Sequence, residues 1–368
     1  MDHIAVVLIA FGTAALVTPI MSHYAMRWGV VDRPDGLRKV HSGPTPLLGG
    51  VALFFALVVT LTATIAFGWL PGDHIKEKYL VGILLASGLL AFGGALDDRF
   101  DLSPVKQIIW PLLAVVIVVA SGIGIDFITS PFGGVIHLDK YVVTVLWWQG
   151  IPYKLTLLAD IFTVVWLFGM TYTTKLLDGL DGLVSGTAAI GAIILAFVSV
   201  TREIAQPDTA LLALAVAGIF LGFLIYNFPP ASVFLGEGGS TLAGFLLGTL
   251  AIVSGGKVAT ALLVLGLPIF DAAFVILRRV FIERKSPTSA DRSHLHLRLL
   301  DRGFSPRNIL LYYWLVTTVF GISTFFLHGR QKLLALALLA TGMGVSMVAA
   351  FSGRSDSFKL IRQKKKYE

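Results

Sequence analysis

Cysteine does not occur in this 368-residue chain. Its absence excludes disulfide bridges, thiolate metal sites and a cysteine nucleophile, and does not decide the compartment. Charge is scarce as well. Asp, Glu, Lys and Arg make up 14% of the residues, against roughly 25% in an ordinary soluble domain. No stretch is left over for a separate soluble domain. Hydrophobic residues make up 56% of the chain, gathered into apolar runs of about 20 residues, each able to cross a ~30 Å hydrocarbon core as a helix. The first run, Ile4 to Met26, is too long for a signal-peptide core and has neither a basic leader nor a clear cleavage site, so it reads as a retained span.

The runs predict an all-α polytopic integral membrane protein of about eleven spans, near 4–26, 47–69, 79–96, 105–125, 157–175, 183–201, 209–228, 239–255, 257–278, 308–328 and 331–351. They form a single transmembrane domain, 1–351, followed by a basic tail, 352–368. Of the 29 Lys and Arg, 21 fall in the tail or in loops after odd-numbered runs. The positive-inside rule then places those loops and the C-terminus in the cytoplasm and the N-terminus outside. The net charge of +7 records this topology and an affinity for anionic lipid, and is not read as nucleic-acid binding. Between Asp126 and Tyr153, "PFGG" beside β-prone "YVVTVLWW" predicts a short external hairpin, with Trp147 and Trp148 at headgroup level.

The polar stretches are "RPDGLRKVHSGPTPLLGG", "LDDRFDLSPVK", "KLLDGLDGL", "NFPPASVFLGEGGS" and "SPTSADRSHLHLRLL". All five follow odd-numbered runs, so one membrane face receives every cluster of acids, histidines and glycines and can hold one composite site. Carboxylates are costly at a bilayer centre, roughly 2.5–3.5 kcal/mol each. Asp97, Asp98, Asp101, Asp178, Asp181 and Glu237 are therefore expected to line a wet cleft, where their crowding calls for a metal or basic side chains. In "DGLDG" the i, i+3 spacing would put Asp178 and Asp181 on one helical face; a capping turn is the plainer alternative. Asp97 and Asp98, as neighbours, point different ways. "GEGGS" can present backbone N–H groups to an anionic oxygen at a helix start. His294 and His296 lie among Arg292, Arg298 and Arg302, a grouping suited to phosphate. Asp271, inside a span, is either functional or paired with a polar neighbour.

These motifs, in this order and over nearly the whole chain, resemble the polyprenyl-phosphate N-acetylhexosamine-1-phosphate transferases, the WecA/MraY superfamily of glycosyltransferase family 4. The "DRSHLH" form is more similar to the WecA branch. The resemblance implies transfer of a sugar 1-phosphate from a UDP-sugar to undecaprenyl or another polyprenyl phosphate, releasing UMP, at the cytoplasmic face of a bacterial-type inner membrane. It implies Asp97, Asp98, Asp181 and His294 as catalytic residues. Lys39, His41, Lys106, Lys175, Asp178, Asn227, Arg292, His296 and Arg298 would bind substrate. Magnesium would be held by Glu237 and Asp181, and a homodimer is compatible with the pattern. Two positions depart from it: Lys175 stands where the family carries Asn, and Glu237 where it carries Asp. Magnesium retained on Glu237 and an Asp is the expected arrangement; the other reading pairs Lys175 with Glu237 and lets the ammonium carry part of the charge. Two rival functions are an intramembrane prenyltransferase, from the DDxxD pattern of "DDRFD", and an ion-coupled transporter using Asp271. The sequence fixes neither the sugar nor the glycan it begins.

Overall fold

The structure, a computed structural model, describes residues 2–33, 43–130, 133–148, 151–201, 205–255, 258–284, 286 and 293–352. Lys39, His41, Arg292 and the basic tail lie outside the described residues. Every expected span coincides with helix. In chain order these are α1 (Asp2–Trp28), α2 (Gly49–Ala66), α3 (Glu77–Phe100), α4 (Pro104–Ala120), α5 (Leu157–Leu177), α6 (Leu183–Thr201), α7 (Pro207–Asn227) and α8 (Gly236–Val253). A bent pair follows, α9 (Val258–Val264) and α10 (Gly266–Leu277), then a short α11 (Leu295–Asp301), α12 (Pro306–Ser323) and α13 (Arg330–Ser352).

Among the described residues eight helices are long and apolar enough to cross a membrane, and the bent pair makes a ninth. The two remaining expected spans are α4, with 17 residues, and α12, with 18. The ninth span is not the straight helix expected at 257–278: it bends by 80° between α9 and α10. Pro268, in the first turn of α10, has no N–H to give the preceding turn, and its ring clashes with the carbonyl four residues back. The single expected hairpin is two. β3 (Phe127–Thr129) pairs antiparallel with β4 (Val135–His137), and β5 (Val142–Trp148) with β6 (Ile151–Thr156). A shorter ribbon, β1 (Val31–Asp32) with β2 (Thr45–Pro46), closes the loop that follows α1.

α6, α7 and α8 form the centre, with 72–83% of each spanning window buried, whereas α1 and α13 are only 22% buried there and sit at the rim. Their outward Ile4, Leu8, Leu16, Leu334, Leu338 and Val345 suit lipid contact. Lipid tails are as apolar as leucine, so helix association in a membrane depends on close packing of small residues. Here a Cβ on Gly94 would run into the backbone of Gly238, and one on Gly50 into Gly239 and Gly238, which locks α3 and α2 against α8. That contact sets the register of the polar ends of α3 and α8. Gly94→Val is expected to destabilise the protein by roughly 1–3 kcal/mol through overpacking and to depress activity with it. Thermal unfolding in detergent measures the first effect, and an unchanged midpoint would contradict so tight a contact.

Candidate active site

The last turn of α3 carries two acids aimed at different partners. Asp97 Oδ1 accepts from Leu102 N at 2.9 Å and from Gln107 Nε2 at 3.0 Å. Gln107 passes the connection on: its Oε1 accepts from Lys175 Nζ at 2.9 Å, and that ammonium pairs with Glu237 Oε1 at 2.5 Å. One hydrogen-bonded chain thus joins α3, α4, α5 and α8. Asp98 Oδ1 accepts from the Glu237 N–H at 3.0 Å, placing a carboxylate at the positive end of α8. Gly236 makes this approach feasible. It sits at φ +68°, and a Cβ there would strike the Asp98 carboxylate. The "GEGGS" amide therefore does meet an anionic oxygen, but one supplied by the chain itself. Asp101 caps α3 at φ 48°, off the helix that holds Asp97 and Asp98, so "DDRFD" is not a DDxxD face.

"DGLDG" is not helical. α5 ends at Leu177, and the motif forms the turn into α6, with Gly182 at φ +75°. Asn227 at the end of α7 supports that turn: its Oδ1 accepts from Gly182 N at 3.1 Å and Ser185 Oγ at 2.7 Å, while its Nδ2 donates to Val233 O at 3.0 Å. It is 3% exposed, and its amide holds these loops together. Asp181 Oδ2 accepts from Ala231 N at 2.9 Å.

The histidines arrive from α11. Asp271, 2% exposed on α10, accepts from Leu295 N at 2.9 Å and lies 3.1 Å from His294 Nδ1 and 3.9 Å from His296 Nδ1. Of the two readings of Asp271, pairing with a polar neighbour is the one seen, and it fixes the His294 ring. The His296 ring lies against Gly179, whose Cβ would collide with Nε2, so the histidine segment abuts the DGLDG turn. Arg298 follows one turn along α11. Lys106 is exposed and stays outside these contacts; its neighbour Gln107 makes them instead. Gln107 was not singled out from sequence, where a glutamine at a helix start carries no distinctive signal.

A narrow crevice between α3, α4 and α8 runs from Asp97, Gln107 and Glu237 to apolar Leu90, Trp110 and Pro111. The site is thus an acidic cleft with an apolar extension along the helices. A resident divalent ion on Glu237 and Asp181 does not fit the donors as they stand. Lys175 occupies Glu237, a charged lysine donates only, and Asp98 and Asp181 each give one oxygen to a backbone N–H. Among the described residues no three His, Asp or Glu side chains are grouped to hold a metal.

A multi-pass helical bundle whose acids, imidazoles and one ammonium meet beside a groove between helices is a membrane protein built to handle an anionic, lipid-linked group. Comparison with known proteins gives the class a family. The profile of glycosyl transferase family 4 matches residues 80–255. The chain is 32% identical over 334 residues, 89% of its length and 85% of the relative's, to a probable undecaprenyl-phosphate N-acetylglucosaminyl 1-phosphate transferase of Bacillus subtilis. It is 30% identical over 370 residues, 92% of its length and 85% of the relative's, to a decaprenyl-phosphate N-acetylglucosaminephosphotransferase of Mycolicibacterium smegmatis. A phospho-N-acetylmuramoyl-pentapeptide-transferase of Desulforudis audaxviator is 27% identical over 86% of this chain and 96% of that one. The chain belongs to glycosyl transferase family 4, and the prenyltransferase and transporter readings gain no support.

Asp178 is exposed in the turn after α5, yet the surrounding protein, followed by the charges of Glu237 and Asp181, pushes its carboxyl up to about 8. The folded chain then holds a proton up to that pH which an unfolded Asp releases near 4. Between the two values folding takes up a proton, so this group's contribution to stability falls as pH rises through that window. The melting temperature of the ligand-free protein is expected to drop between pH about 6 and about 9, and to drop less in Asp178→Asn. Equal slopes for the two proteins would contradict the raised carboxyl.

Proposed function

We propose that this protein transfers N-acetylglucosamine 1-phosphate from its UDP-linked donor to a polyprenyl phosphate in the membrane, releasing UMP and starting a lipid-linked envelope glycan. The observation that carries the reading is the junction of Asp97 with a crevice that turns apolar along α3 and α4, since the acceptor needs an acid at its phosphate and a greasy path for its chain. The named activities of the relatives support it. In the reaction an acceptor phosphate oxygen attacks the sugar-bearing phosphorus. A new phosphoanhydride bond forms, the bond to the UMP oxygen breaks, and UMP leaves with the electron pair. One anhydride replaces another, so no ATP is required. The barrier lies in bringing two anions together, which makes positioning and charge neutralisation the main work of the protein.

Each residue has a task that follows from its contacts. Asp97 has Oδ1 occupied and Oδ2 uncommitted, so Oδ2 accepts the acceptor's proton or orients its phosphate. Asp98 is spent on α8 and holds Glu237 in place. Asp178 and Asp181 face the nucleotide side, and His294, steadied by Asp271, together with Arg298, meets the donor phosphates. For Lys39, His41 and Arg292 substrate binding rests on the family motifs alone. The cleft faces the cytoplasm, where UDP-sugars are made, with the N-terminus outside.

Asp97→Asn tests the reading. An amide oxygen still accepts from Leu102 and Gln107, so the local fold is kept while the base is lost. UMP release from UDP-N-acetylglucosamine with undecaprenyl phosphate should fall about 100-fold or more, as when a general base is removed, with KM for the donor nearly unchanged. Wild-type protein that forms no lipid-extractable sugar product, or an Asp97→Asn variant of full activity, would contradict it.

A further inference from the structure

Lys175 stands amid carboxylates with its ammonium held on three sides. It pairs with Glu237 at 2.5 Å, donates to Gln107 Oε1 at 2.9 Å and lies 5.4 Å from the centre of the Tyr172 ring. Through Gln107 it is one hydrogen bond from Asp97. Its side chain is 18% exposed and that of Glu237 19%, so the pair is sheltered yet open to the cleft. An ammonium carries three N–H donors and no acceptor. Glu237 and Gln107 take two, which leaves one for an incoming oxygen.

Oxygen-seeking divalent ions need several carboxylate or carbonyl ligands converging at short range. At this point the chain offers the opposite chemistry, a compact positive charge on a flexible stem, the form in which lysine binds phosphate. Glu237 reaches it with one more methylene than an aspartate would have.

We propose that Lys175 is the resident cation of this site: its ammonium supplies the charge that draws the donor pyrophosphate in among the acids, in place of a bound divalent ion. The proposal rests on the transferase reading and deepens it. When a pyrophosphate oxygen arrives, the third N–H of Lys175 meets it, while Glu237 and Gln107 keep the ammonium between the helices. A neutral residue here would leave Asp97, Asp178 and Glu237 crowded without a counter-charge, and an oxygen-bearing one would recreate demand for a metal.

The test uses full-length protein in detergent, stripped with EDTA and desalted. Titration with Mn2+, followed by electron paramagnetic resonance, should show no stoichiometric binding to the wild type and one bound ion in Lys175→Asn/Glu237→Asp. UMP release by the wild type should agree within about twofold between EDTA and added Mg2+, whereas Lys175→Asn should lose at least about tenfold in EDTA and recover with Mg2+. Lys175→Arg, which keeps the charge, should retain turnover in EDTA. Stoichiometric Mn2+ on the wild type, or wild-type turnover abolished by EDTA and restored by Mg2+, overturns the proposal. Should no condition give turnover, the transferase reading fails, and the Mn2+ titration of the wild type still decides whether the ammonium excludes a metal.

Discussion

A carboxylate inside a membrane protein must be wet, paired or hydrogen-bonded, because the hydrocarbon core offers it nothing. This constraint orders the molecule. Asp97, Asp98 and Glu237 lie at the ends of α3 and α8, and Asp178 and Asp181 in the turn after α5. Asp271 lies within α10 and meets it by taking the Leu295 N–H and the His294 imidazole. Asp97, Asp98, Asp181, Glu237 and Asp271 are each satisfied by a group from another segment. Satisfying them therefore draws the segments together.

The drawing-together is steric as well as electrostatic. Gly94 against Gly238 and Gly50 against Gly239 let backbones touch where any side chain would separate them, and small-residue contact is the main source of helix association available in lipid. With α3 pressed on α8, Asp98 reaches the Glu237 N–H in the first turn of α8 and Glu237 reaches Lys175. The Lys175 pair and the Asp98 cap are thus consequences of one close contact. A change there moves packing and chemistry together.

Much of this could be read from the residues. Apolar length placed each expected run on helix, although only eight helices and the bent pair among the described residues are long and apolar enough to cross, and the family followed from motifs distributed over the chain. Other features left no local signal. The i, i+3 spacing of Asp178 and Asp181 is the same in a helix and in a turn, and only the Asn227 contacts from a distant segment make it a turn. The bend at Leu265 hides inside an uninterrupted apolar run, because proline in membrane helices is tolerated and need not break them. Gln107 owes its place to Asp97 on one side and Lys175 on the other, partners that a linear reading cannot bring together. Asp271 and His294 lie 23 residues apart along the chain, a pairing that no local pattern announces.

All of this depends on the loops after alternate spans meeting at one membrane face. The absence of cysteine from the chain allows a direct measurement: single cysteines at Ser103, Ser232 and Ser305, and others at Asp73 and Asp139, treated with a membrane-impermeant maleimide in intact spheroplasts and again after lysis. The first three should react only after lysis, and the last two before it. Labelling of any of the first three from outside would place part of the site on the wrong side of the membrane and contradict the account.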